Sequence, residues 1–259
     1  MTFYPGLDIN PTTQPMGFKY GPNVFGPAVE NRTLASIRKS LLEPLCAGPD
    51  PVYAIAMDVG KTEHRQLLME HHLLYGAVTY AAGQLGNEPV RSQGHIHKIS
   101  PLSGWSTPEV YEIWSGKAII YMQETADDNP GRCFAVIACP GEVVIVPPGW
   151  AHATISADHL QPLTFGAWCD REYGFEYDAV RSHNGLAWFP IIRPDGNIEW
   201  KKNPAYFETQ LIIKQPEKYT LPVINAGISI YKQFEDNPYQ FDFVSHPQII
   251  EEIWHGFIP

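Results

Sequence analysis

The chain has 259 residues, 44% of them apolar, and 18 basic against 28 acidic side chains give a formal net charge of −10. That apolar content supports a sizeable core and excludes a wholly disordered chain. The acidic balance excludes an overall basic field for nucleic acid or an anionic membrane, so any anionic ligand must be caught by local donors working against that field.

Four cysteines, Cys46, Cys133, Cys139 and Cys169, form no Cys-x-x-Cys pair and are too sparse for a disulfide framework, which points to a reducing compartment. No run of about 18 apolar residues occurs. The first residues, "MTFYPGLDINPTTQPMGFKYGPN", also lack a basic stretch followed by an apolar one. A cytoplasmic protein without membrane or nucleic-acid partners is the expectation.

In chain order, residues 1–31 are rich in Pro, Gly and Asn and read as an extended arm. "NRTLASIRKSLLEPL" (Asn31 to Leu45) carries Leu34, Ile37 and Leu41 at helical spacing, with Pro44 as the stop. "DPVYAIAM" (Asp50 to Met57) predicts a strand. From about Leu73 to Phe189 short β-rich runs alternate with Gly and Pro, among them "LLYGAVTYAA", "EVYEIWSGKAIIYMQ", "CFAVIACPGEVVIVPPGW" and "PLTFGAWC". Closely spaced strands of this kind predict an all-β sandwich or barrel. After Phe207 the pattern is irregular until "HPQIIEEIWHGF", where Pro247 opens a short helix. The organisation expected is an arm and helix (1–49) packed on a β barrel (50–207), then a C-terminal extension (208–259).

Chemistry enters at Gly94-His95-Ile96-His97. Side chains alternate along a strand, so His95 and His97 share a face roughly 7 Å apart. Two imidazoles at that spacing chelate one ion when further donors close the set. A lone His-x-His is equally a pair of surface imidazoles. Two later segments add donors: "TPEVYEIWSGKA" brings Glu109 and then Gly116, and "PGEVVIVPPGWAHATIS" ends an apolar strand and a double-Pro turn at His152. His71 and His72 are adjacent and face apart, which makes them structural. His64, His159, His183, His246 and His255 have no ligand-like neighbours.

The order His-x-His, Glu, Gly, then Pro-Gly, apolar strand, Pro and His resembles the two-part signature of the cupin (jelly-roll) β-barrel. More narrowly, "GHIH", "PEVYEIWSGKA", "PGEVVIVPPGWAHATIS" and "YGFEYDAV" resemble the cupin-type phosphoglucose isomerases, over roughly Asp50 to Phe207. The resemblance implies a homodimeric enzyme of glycolysis and gluconeogenesis that interconverts glucose 6-phosphate and fructose 6-phosphate. It implies His95, His97, Glu109 and His152 as ligands of one divalent metal, Fe(II) foremost, with Zn(II), Mn(II) and Ni(II) as alternatives suited to three nitrogens and a carboxylate. Glu109 and Tyr111 are the implied catalytic pair. Ser92, Gly94, Tyr53 and Tyr177 match positions near the substrate phosphate.

No P-loop occurs, so hydroxyls and backbone N–H groups of Ser92, Gly94, Thr79 and the two tyrosines are expected to grip the phosphate. By strand alternation Arg91 faces with the histidines and is the expected local cation, whereas Lys98 faces away. Glu112, three residues beyond Glu109, is a rival acid that alternation turns to the other face. The chain departs from the short archaeal members at Phe175, where they carry histidine, and at Cys169, where they carry tyrosine. The loop between His97 and Glu109 is longer than theirs, and they lack the segment after Phe207.

Hydrogen movement between C1 and C2 has two routes: a base and a cis-enediol, or a direct hydride shift. The residues leave both open. Two other readings compete, a cupin Fe(II) dioxygenase with a mostly apolar pocket and a sugar-phosphate-binding module without catalysis.

Overall fold

The structure, a computed structural model, describes residues 2–259. Its architecture rests on twelve strands: β1 (Glu30–Arg32), β2 (Tyr53–Met57), β3 (Leu73–Tyr80), β4 (Ile96–His97), β5 (Glu109–Ser115), β6 (Ala118–Gln123), β7 (Cys133–Ala138), β8 (Val143–Val146), β9 (Ala151–Ser156), β10 (Leu163–Asp170), β11 (Phe175–Glu176) and β12 (Leu211–Lys214). A six-stranded sheet has the order β8-β5-β10-β3-β2-β1, and a four-stranded sheet has the order β9-β6-β7-β12. All pairings among these strands are antiparallel except β7 with β12.

The apolar runs of β3 and β10 are buried along their whole length, because both faces of the larger sheet are covered. Tyr53, Val78, Tyr80, Tyr111, Phe165 and Cys169 point into the interior. Tyr75, Val110, Trp114 and Trp168 point outward, against Tyr231, Phe234, Phe241 and Phe243 of the C-terminal segment. Trp168 and Tyr231 stack with ring centroids 5.6 Å apart. Full burial of each such side chain contributes roughly 1.5–3 kcal/mol, so the C-terminal segment is part of the core.

The all-β, jelly-roll expectation holds, with the two sheets remaining separate in their hydrogen-bonded order rather than closing into one ring. Beside the smaller sheet the chain changes course at Gly94. Residues 90–95 run beside β9 through Ser156 N–H to Val90 O (2.8 Å), Ser92 N–H to Thr154 O (3.0 Å) and a reciprocal pair between His95 and His152. Gly94 takes a φ of +90°, a left-handed conformation that favours glycine. Beyond it β4 leaves β9 and pairs with β11.

The predicted helix over Asn31–Leu45 is mostly absent. Asn31 and Arg32 are strand, with Arg32 opposite Tyr53 on β2. Thr33 then caps a single turn, Leu34–Ile37, by accepting from Ser36 N–H at 3.3 Å. A 3-10 turn ends at Ser40, where Leu42 N–H is drawn to Glu88 Oε2 at 2.8 Å. The N-terminal arm holds a hairpin, Ile9–Thr13 with Met16–Tyr20. Pro247 opens a 3-10 turn leading into the helix Glu251–Trp254. Among the described residues no helix is long and apolar enough to cross a membrane.

Candidate metal centre

His95 and His152 face each other across the reciprocal backbone pair, His95 N–H to His152 O at 3.0 Å and the reverse at 2.9 Å. Their rings lie 4.3 Å apart, and the ring of His97 lies 5.3 Å from that of His95. Glu109 begins β5, opposite Val146, and projects its carboxylate into the same space. One donor atom from each of the four residues lies within 4.8 Å of the other three. Segments more than 50 residues apart in sequence thus converge on a common centre.

The imidazoles are oriented by their outer nitrogens. His97 Nδ1 lies 2.9 Å from the Thr107 carbonyl, and His152 Nδ1 lies 3.0 Å from the Trp150 carbonyl. A carbonyl only accepts, so both Nδ1 atoms carry the proton and both Nε2 atoms present a lone pair inward. Glu109 Oε2 lies 3.2 Å from His97 Nε2 and 3.1 Å from His152 Nε2. The Nε2 atoms of His95 and His97 are buried without a hydrogen-bond partner. Buried polar atoms left unpaired are costly, and three imidazoles with a carboxylate suit a divalent transition-metal ion. The residues present fit such an ion.

Electrostatics agree with that fit. Burial lowers the His95 pKa well below the usual histidine value, and the neighbouring His152 and His97 add to the shift, which keeps the ring neutral as a ligand requires. For Glu109 burial acts upward, but the His152 and His97 imidazoles beside it outweigh burial and hold the carboxyl well below the usual range. Tyr111 donates its hydroxyl to Glu109 Oε2 at 2.6 Å, and Cys169 directs its thiol at Glu109 Oε1 at 3.4 Å. Burial first, and the Glu109 charge second, push both of these groups up, so they stay protonated donors.

A cavity of about 60 Å³ adjoins these donors, and Arg32, Tyr53, Ser92, Phe175 and Tyr177 contribute to its wall. Of the residues expected at a phosphate, Tyr53, Ser92 and Tyr177 line it. Gly94 forms the turn beside His95, and a Cβ on it would meet Leu186 Cδ1 at 2.9 Å. Two expectations fail. Thr79 lies on the far face of β3, where its hydroxyl pairs with that of Thr164 at 3.1 Å, while its neighbours Val78 and Tyr80 face the cavity. Arg91 turns away as well, its guanidinium held by Glu88 Oε1 at 2.7–2.8 Å and the Ser40 carbonyl at 2.6 Å. Alternation counted back from His95 misplaces Arg91 because the left-handed φ of Gly94 shifts the phase. Ser92 therefore lines the cavity in its place.

The cation that does reach the cavity wall is Arg32. Nothing in "VENRTLAS" marks it, since the segment reads as the end of an arm and the start of a helix. Gln93 was also missed; it lines the cavity and accepts from Arg181 Nε at 3.0 Å. Phe175 stands edge-on to His95, with ring centroids 4.4 Å apart.

A sequence profile of the glucose-6-phosphate isomerase (GPI) family matches residues 38–208. The chain belongs to that family. The metal donors and nearly all of the cavity wall lie within the matched stretch. This GPI-family chain is 28% identical over 137 residues to the glucose-6-phosphate isomerase of Thermococcus litoralis, a match covering 53% of this chain and 66% of that one. It is 28% identical over 140 residues to the putative glucose-6-phosphate isomerase 1 of Rhizobium meliloti, covering 52% and 58%. The matches thus leave a third or more of each relative's length uncovered. Among solved structures, oxalate decarboxylase of Bacillus subtilis superposes with a TM-score of 0.34 at 15% identity, over 49% of this chain and 28% of that one.

Proposed function

We propose that this protein interconverts glucose 6-phosphate and fructose 6-phosphate at a divalent cation held by His95, His97, Glu109 and His152. One observation carries the reading: four metal-type donors converge beside a cavity, inside the stretch that matches the GPI family. Fe(II) is the proposed native ion, with Zn(II), Mn(II) and Ni(II) as alternatives that the same donors accept. When bound, a divalent ion supplies stabilisation for negative charge developing on O1 and O2 of the open-chain sugar.

The chain's own residues support the rest of the chemistry. Glu109 offers no uncommitted oxygen: Oε2 meets Tyr111 and two imidazoles, and Oε1 meets Cys169. It is better placed as ligand and orienting acceptor than as the base that removes a carbon-bound hydrogen. Tyr111, protonated and on the cavity wall, is the group that passes the hydroxyl proton between O1 and O2. Direct hydrogen transfer between C2 and C1 follows from this division of labour. Glucose 6-phosphate deuterated at C2 should then keep its label at C1 of the product, and loss of the label to water would support the enediol route.

The cavity volume is well below the roughly 300–1,000 Å³ usual for small-molecule sites. Binding therefore requires the partly exposed Phe175 and Tyr177 to move outward. The apolar strip Ile55, Met57, Val78 and Phe165 favours the dioxygenase as a second reading. The tyrosines, Ser92, Gln93 and Thr154 on the same wall favour a polar substrate.

Incubation of the metal-loaded protein with fructose 6-phosphate separates the readings. Glucose 6-phosphate should appear. Oxygen uptake without isomerisation would support the dioxygenase, and binding without turnover the non-catalytic module. A homodimer is also proposed, to be checked by light scattering.

A further inference from the structure

Several arginines are committed to partners away from the cavity. Arg91 is locked to Glu88 and Ser40, Arg132 to Glu124, and Arg171 to Asp58. Arg32 differs. Among the described residues it is the single Arg or Lys on the wall of the cavity that also contains His95 and Glu109.

Its main chain is fixed on two sides. Arg32 sits opposite Tyr53 in the β1–β2 register, and its carbonyl accepts from Val52 N–H at 2.8 Å. Thr33 immediately afterwards caps the next turn. The guanidinium, by contrast, is only partly engaged. One terminal nitrogen lies 2.6 Å from Glu30 Oε1, while Nε is buried and has no hydrogen-bond partner. The Glu30 side chain is 62% exposed against 23% for Arg32, and an ion pair open to water on one side is worth only about 0–1 kcal/mol. Glu30 is a replaceable partner.

We propose that Arg32 binds the phosphate dianion of the substrate, exchanging Glu30 for it. The guanidinium fork matches two oxygens of a phosphate and can engage Nε together with a terminal nitrogen, which the single Glu30 contact does not. The two tyrosines near it extend the site toward the metal donors: Tyr53 is Arg32's cross-strand neighbour, and the Tyr177 ring lies 6.1 Å from that of His95. A six-carbon chain anchored at His95 and Glu109 by its reacting end thus places its phosphate among Arg32, Tyr53 and Tyr177. Glu30 then acts as a stand-in anion that neutralises the guanidinium in the empty site and discriminates weakly against sugars without a phosphate.

This inference rests on the sugar-phosphate reading of the site, and the test separates the two. Arg32→Met in the metal-loaded full chain should raise KM for fructose 6-phosphate about 100-fold, the scale of a lost charged hydrogen-bonded pair, with kcat changed less than a few-fold. Arg32→Lys should fall between the two. Binding of inorganic phosphate, followed by calorimetry, should be lost in Arg32→Met. Glu30→Gln should lower KM, because the competing carboxylate is gone, and should shift kcat by less than a few-fold. An unchanged KM in Arg32→Met, or a raised KM in Glu30→Gln, would overturn the assignment while leaving the isomerase reading intact. If the wild-type protein does not isomerise but binds inorganic phosphate through Arg32, the isomerase reading fails and the anion site stands.

Discussion

Two carboxylates on β5, three residues apart, meet opposite fates. Glu109 points into the cavity, where Tyr111 and Cys169 direct donors at it and Nε2 of His97 and His152 lies within 3.2 Å of its Oε2. Its pKa is held well below the usual range although it is buried. Glu112 points out of the back of the same strand into the seam with the C-terminal segment. There Oε1 accepts from Ile230 N–H at 2.7 Å and Oε2 has no partner. Burial dominates, and its pKa is pushed up to about 8. The difference shows that the partners waiting on each face, rather than the residue type or its neighbours in sequence, decide whether a buried carboxyl is a charged ligand or a neutral acceptor. It also shows which side of the sheet gathers the metal-type donors and which side holds the C-terminal segment in place.

The largest expected effect lies on the cavity side. Glu109→Ala and His152→Ala each remove a donor and should reduce turnover by about 10³-fold or more, as loss of the charge stabilisation at a metal centre implies. Metal content, measured on the same preparations, should fall in parallel. Retention of both metal and activity in either variant would break the contrast drawn here, since Glu109 would then be no more functional than Glu112.

Glu112 provides the next effect, on stability. Its pKa is raised in the folded state, so the folded protein holds a proton that the unfolded chain releases from about pH 4.5. The favourable contribution is therefore complete below that pH and is lost progressively as the pH rises to about 8. Glu112→Gln keeps the acceptor for Ile230 and removes the ionisation. It should stabilise the protein at pH 9 by several kcal/mol, roughly 5 at most, and change it little at pH 4. Unfolding midpoints at the two pH values check this. An equal shift at both would mean that Glu112 does not titrate in that window. Metal content should be the same as in wild type, in contrast to Glu109→Ala.

Much of the cavity side was legible in the sequence because it depends on local rules. Two histidines two apart share a face, and Glu109 and Tyr111 do the same, so their convergence follows once the strands are placed. The failures have physical causes as specific. Arg91 was misplaced because a left-handed glycine breaks the period of two within five residues. Thr79 was misplaced because β3 is buried on both faces, and an all-buried strand gives no alternation from which to read its orientation. Arg32 was missed because its place on the cavity wall depends on pairing with Tyr53 of β2, 21 residues on, against which a short helical pattern competed. The back of the sheet was the least legible region. Nothing local in Ser229 to Phe243 announces that its aromatics cover Trp168 and Tyr75, or that Ile230 N–H meets Glu112.

Smaller effects refine the cavity side. Tyr111→Phe removes a single hydroxyl that donates to Glu109 at 2.6 Å and is otherwise enclosed. Metal binding should survive, because all four donors remain. Turnover should fall by about 10–100-fold, toward the low end of what a proton-transferring group contributes, with KM little changed. A fall in metal content instead would make Tyr111 a support for Glu109 rather than a proton carrier.

The smallest effect concerns Phe175, which stands over His95 and His97 at 4.4 and 5.5 Å between ring centroids. It sits on the two-residue strand β11, which pairs with β4, and next to it Lys98 N–H donates to the Gly174 carbonyl at 2.8 Å. An aromatic ring there excludes water from the imidazoles without adding a hydrogen bond. Phe175→His preserves ring size and adds a polar nitrogen in a partly exposed position, so it should leave metal content unchanged and alter turnover by less than about tenfold, the size of one solvent-accessible hydrogen bond. Phe175→Ala, which opens the wall, should lower KM, because this ring must move outward for the sugar to bind; a raised KM would instead make the ring a contact surface for the bound sugar. The two variants together therefore distinguish a door from a platform, and either result leaves the separate roles of Glu109 and Glu112 untouched.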